Sequence, residues 1–85
     1  MSKIVLGVMQ IKRRETATKV QELFTEYGCF IKTRIGLHQG SDTLNECSEK
    51  GLIILELMEG TGKEAIELEE KLAAIEGVEI KKMEF

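Results

Sequence analysis

A chain of 85 residues reads as one domain over 1–85, able to close one core but not to bury its apolar surface generously, so further subunits are expected. With 42% hydrophobic, 32% charged and 5% aromatic residues, and with neither Trp nor Pro, the composition is that of a charged chain that folds rather than a disordered one. A net charge of −3 argues against direct nucleic-acid binding, which needs a concentrated excess of Lys and Arg.

No apolar run approaches the roughly 20 residues that cross a bilayer, so no membrane role is expected. The segment Met1 to Ile11 runs into the basic trio Lys12, Arg13 and Arg14, the reverse of the order in a signal peptide. A cytoplasmic location is expected. Cys29 and Cys47 fit neither a disulfide framework nor a Cys-x-x-Cys motif, which makes both free thiols and Cys29 small buried filler.

In chain order, Lys3 to Ile11 is apolar at almost every position and predicts a central strand covered on both faces. From Glu15 to Tyr27, the positions Ala17, Val20, Leu23, Phe24 and Tyr27 form one helical stripe, with Gly28 expected as a left-handed C-terminal cap. Cys29 to Gln39 then alternates, with Ile31, Thr33, Ile35 and Leu37 on one face and Phe30, Lys32, Arg34, Gly36 and His38 on the other, the period of a strand. The polar stretch Gly40 to Lys50 predicts a loose, mobile hairpin connection.

Gly51 to Glu59 is a third strand with little polar face. Thr61-Gly62-Lys63-Glu64 fits a capping box and starts a second helix, which buries Ala65, Leu68, Leu72 and Ile75, exposes Glu67, Glu70, Lys71 and Glu76, and stops at Gly77. Val78, Ile80, Met83 and Phe85 form the last strand. This order predicts an α+β, ferredoxin-like βαββαβ fold, a four-stranded antiparallel sheet with both helices on one face. The first and third strands are then central and apolar on the side that the helices cannot reach. A second copy of the chain, sheet to sheet or edge to edge, is the economical cover, hence a homo-oligomer, dimer or tetramer.

The chemistry-bearing candidates are few. Lys12, Arg13 and Arg14 lie where the first strand enters the first helix, so their charges and the helix's free N–H groups suit an anion. Arg34 and Lys32 are expected on the open sheet face as interface residues, and Gly36 allows close backbone approach. His38 and Cys47, joined by Asp42, Glu46 or Glu49, have the residue types of a soft-metal contact but fall short of the usual three or four ligands, so no metal and no cofactor are assigned. Gly60-Thr61-Gly62-Lys63 lacks phosphate-loop spacing and reads as a helix start. The carboxylates of the second helix pair with lysines, and no nucleophile-base-acid set surrounds the single His. A non-enzymatic role is expected.

The chain resembles the family of iron-only hydrogenase system regulators. The resemblance is carried by the apolar first strand, Leu23-Phe24-Thr25-Glu26-Tyr27-Gly28, Arg34-Ile35-Gly36-Leu37, and the closing run Lys71-Leu72-Ala73-Ala74-Ile75-Glu76-Gly77-Val78-Glu79-Ile80-Lys81. Such proteins look like ACT domains and like the C-terminal domain of nickel-responsive repressors, ferredoxin-like modules that oligomerise and bind small effectors at subunit interfaces. One His excludes a nickel site of that kind within one chain, Gly40 to Lys50 is long for the family's hairpin, and Ile11-Lys12-Arg13-Arg14 lacks the glycine turn of an amino-acid site. The resemblance therefore implies an oligomeric regulatory module with a small-molecule effector between subunits, met by Arg34, Gly36, His38 and the Lys12 to Arg14 turn. With no DNA-binding segment, its output passes to a protein partner. The alternatives are a small dimeric α+β barrel enzyme, which needs a deep polar pocket, and a structural subunit of a larger assembly, which needs no pocket.

Overall fold

A computed structural model of the chain describes residues 3–38 and 51–85, His38 through its backbone alone. The expectations for Gly40 to Lys50, Cys47 included, lie outside the described residues. The elements are β1 (Ile4–Gln10), α1 (Arg13–Glu26), a short 3₁₀ turn (Gly28–Phe30), β2 (Ile31–His38), β3 (Gly51–Leu57), α2 (Gly62–Ala73) and β4 (Val78–Glu84). They form one sheet of order β2-β3-β1-β4 in which every neighbouring pair is antiparallel, the expected ferredoxin-like α+β fold. α1 carries the chain past β3 to the edge strand β2, and α2 carries it past β1 to the other edge, β4. Among the described residues no helix is long and apolar enough to cross a membrane.

The two-residue period of β1 and β3 sends Ile4, Leu6 and Val8, with Ile53, Leu55 and Leu57, into the core. The helices answer at their own spacing, α1 with Thr16, Val20 and Phe24 and α2 with Ala65, Leu68 and Leu72. Leu6, Leu55, Leu68 and Leu72 are fully buried, and each contributes about 2 kcal/mol through apolar area withdrawn from water. The far ends of the helices are joined by polar contacts: the Tyr27 hydroxyl donates to the Glu67 carboxylate at 3.3 Å, and Lys71 Nζ reaches Glu26 at 3.1 Å while lying 5.0 Å from the centre of the Tyr27 ring. Glu67, expected in solvent, is therefore half-buried.

Several local details differ from the sequence pattern. α1 begins at Arg13 because the Lys12 carbonyl already accepts the Glu15 and Thr16 amides. Gly28 is no left-handed cap; the chain passes into the 3₁₀ turn, which packs Phe30 against the core and leaves Cys29 exposed rather than buried. A bulge between Ile31 and Thr33 shifts the phase of β2, so Ile31 packs on the core while Thr33, Ile35 and Leu37 take the opposite face. At α2 the capping box is not formed: Gly60 turns the chain in left-handed backbone (φ +82°), and the Thr61 hydroxyl donates back to the Met58 carbonyl and accepts no N–H of the helix.

α2 ends at Ala73, with Ala74 as its C-cap, rather than at Gly77, which turns the chain into β4 in left-handed backbone (φ +86°), so Ile75 packs on the core from outside the helix. A Cβ on Gly77 would also stand 3.4 Å from Thr16 Cγ2 and 3.5 Å from Lys12 Cβ. Gly77→Ala is expected to destabilise the fold by about 1–2 kcal/mol, read as a lower urea midpoint with unchanged slope.

Candidate functional site

The end of β1 is held to the start of α1 by a buried polar contact. Gln10 is 3% exposed, and its Nε2 donates to Thr16 Oγ1 at 3.3 Å, while that hydroxyl donates to the Lys12 carbonyl at 3.0 Å. This fixes the Lys12 to Arg14 turn above the sheet and divides its cations. The Lys12 stem runs toward Gly77 on the β4 side. Arg13 turns the other way: its Cδ lies 3.0 Å from where a Cβ of Gly51 would stand, so the first residue of β3 has no side chain where the arginine crosses it. Arg14 is exposed on the first turn of α1.

Beside Arg13, a notch of about 350 Å³ is lined by Gln10, Gln21, Arg34, Gly36, Gly51 and Ile53, with Leu37 and Leu52 at its border. Arg34 is expected on the open sheet face, but the β2 bulge and its register with Leu55 turn it to the helix side. There its guanidinium lies 5.0 Å from the centre of the Phe24 ring, and Nη2 donates to Gln21 Oε1 at 2.7 Å. Stacking and hydrogen bonding hold the plane of a group whose remaining N–H donors face solvent. A Cβ added at Gly36 would meet nothing within 4 Å, so the backbone is open to a ligand on this side. Two larger depressions, about 500 and 530 Å³, lie over the outer face of α1 and around the turn from β3 to α2, and neither is lined by a cation.

Of the sequence candidates, the structure thus brings Arg34 and Gly36 into one notch, sets Arg13 against Gly51 at its rim, and leaves Lys12 and Arg14 apart. His38 is in register with Gly51 at the same end of the sheet, and its side chain lies outside the described residues. Gln10, Gln21 and Gly51 were not foreseen. Gln10 had a signal, as the one polar residue on the buried face of β1; Gln21 had a weaker one, three residues before the Phe24 on which Arg34 stacks. Among the described residues no three His, Cys, Asp or Glu side chains gather as metal ligands. Lys32, as expected, lies toward the opposite side, around a small depression shared with Lys3 and Glu56.

On that side Lys3 Nζ lies 3.0 Å from the Glu56 carboxylate, which also accepts the Thr33 hydroxyl at 3.1 Å. The hydrogen bonds from Lys3 and then Thr33 hold the Glu56 carboxyl below its ordinary range, and the Glu56 bond raises Lys3. A depressed carboxyl adds stability above its unfolded value and loses it as pH falls through the folded one, whereas the Lys3 contribution is lost only in strong alkali. Glu56→Gln is accordingly expected to lower stability slightly at neutral pH and to converge with the wild type in acid, so that the acid limb of a pH–stability curve flattens.

No family model matches the chain, and no curated protein matches it. Among solved structures it is similar to an uncharacterized protein of Thermotoga maritima, with a TM-score of 0.75 and 19% identity over 100% of this chain and 99% of that one. It is also similar to a candidate PII-like signalling protein of Thermus thermophilus, with a TM-score of 0.65 and 8% identity over 100% of this chain and 88% of that one. At these identities the likeness establishes the fold, a small ferredoxin-like α+β domain.

Proposed function

We propose that the chain is a non-enzymatic regulatory domain that self-associates and binds a small anionic effector in the notch between α1 and the β2 edge. The observation that carries this reading is Arg34, held by Phe24 and Gln21 in a notch that Gly36 and Gly51 also line, with Arg13 packed against Gly51 at its rim. A guanidinium so oriented presents parallel donors to a carboxylate or phosphate, and glycine backbone lets the anion approach. β2 is an edge strand, so the notch opens at the border of the sheet, where a further subunit can close over it. Support for a regulatory role comes from the likeness to the PII-like signalling protein. The sequence resemblance to iron-only hydrogenase system regulators supplies the process, with output through a protein partner.

The test is a titration of the full chain with orthophosphate, citrate and ATP, followed by backbone amide NMR. Saturable shifts confined to Gln10, Arg13, Gln21, Arg34, Gly36 and Gly51 are expected with at least one of them. If none moves these amides at millimolar ligand, the effector reading fails. In the same assay Gly36→Val leaves the fold intact, since the added side chain meets open space, and weakens binding by filling the approach.

A further inference from the structure

The sheet face away from the helices has a self-complementary surface. Strand register sets its middle row, from β2 to β4, as Ile35, Ile54, Gly7 and Lys81. Gly7 leaves a gap on β1: a Cβ there would contact only the Lys81 carbonyl at 3.8 Å and Ile54 Cδ1 at 4.0 Å, so the gap is not filled from within the chain. Around it the face is apolar, with Leu37, Leu52 and Met9 in the next row, and Ile35 and Leu37 are each 49% exposed. Its described acids are neutralised locally, Glu56 by Lys3 at 3.0 Å and Glu79 by Lys81 at 3.8 Å, so two such faces meet without unpaired like charges.

Two twofold arrangements bring one face onto another with the strands aligned. An axis perpendicular to the strands sets Gly7 on Gly7, leaving the gap empty, and Lys81 on Lys81. An axis parallel to the strands exchanges β1 with the β3 of the other copy. Ile54 then enters the gap at Gly7, Gly7 receives the other Ile54, and Leu52 meets Met9 twice over. Lys81 falls opposite Ile35 at the rim, where its ammonium reaches water.

We propose that a second copy of this chain covers the open sheet face across a twofold axis parallel to the strands, with Ile54 of each copy seated at Gly7 of the other. This deepens the oligomeric reading above and rests on it. Sedimentation equilibrium of the full chain and of Gly7→Val tests it. A side chain at Gly7 fits its own chain and blocks the partner's Ile54, so the variant keeps its circular dichroism spectrum while its dimer dissociation constant rises at least about tenfold. Ile54→Ala, which removes the inserted group from a residue outside the core cluster, gives a rise in the same direction and decides the matter if Gly7→Val does not fold. Thr18→Glu, on the outer face of α1, leaves the constant unchanged. Dimers as tight in both variants as in the wild type overturn this docking and leave oligomerisation by another face standing. A wild-type chain that stays monomeric at sub-millimolar concentration overturns both.

Discussion

Leu55→Ala lowers the unfolding free energy by about 3 kcal/mol, a large part of the total for a domain of this size. Leu55 is fully buried on β3, a central strand, where it shares the core with Leu6, Leu68 and Leu72. Truncation loses the transfer of its methyl groups from water and leaves a cavity that a central strand, paired on both sides, cannot collapse to fill. Urea unfolding at fixed protein concentration measures it, as a lower midpoint with unchanged slope. Ile35→Ala, on the same sheet but on the open face and 49% exposed, has little effect on the subunit's own fold and acts on association instead. A loss below about 1 kcal/mol for Leu55→Ala would contradict this placement of the core.

Arg34→Ala weakens anion binding in the notch by at least about tenfold, the loss of one charge-assisted hydrogen-bonded contact. Arg34→Lys keeps the charge but loses the plane that stacks on Phe24 and the donors that pair with an anion, so it recovers only a small part of the affinity. Arg14→Ala, which removes an exposed cation of the first turn of α1 outside the notch, leaves affinity nearly unchanged at moderate salt. The amide titration with orthophosphate, citrate and ATP reads all three variants. Equal losses for Arg34→Ala and Arg14→Ala would show that the binding is diffuse surface attraction rather than a site.

Much of this architecture is legible in the chain because its signals are periodic and local. The apolar run from Lys3 to Ile11 that marks β1 and the stripe of Ala65, Leu68 and Leu72 on α2 each rest on neighbours within a few residues. The errors arise where one residue of phase decides the outcome. The bulge at Ile31 and Thr33 moves Arg34 from the open face to the helix side, and no residue type in that stretch marks it. The capping box at Thr61 has the right letters, but next to the left-handed Gly60 the Thr61 hydroxyl is turned toward the Met58 carbonyl and accepts no helix N–H.

The site was half legible for the same reason. Arg13, Arg34 and Gly36 stood out by type, yet what gathers them is tertiary: Gln10 buried against Thr16, Gln21 reaching across from α1, and Gly51 giving room to the arginine stem. The apolar open face followed directly from the topology, since central strands without polar alternation have two faces to cover and two helices cover one.

The central claim, a self-associating domain that holds a small anion, is tested most directly by native mass spectrometry of the full chain purified without air. Dimers or tetramers that carry a small anionic molecule, and lose it in Arg34→Ala while keeping their stoichiometry, are the predicted result. Bare monomers across the accessible concentration range would contradict it.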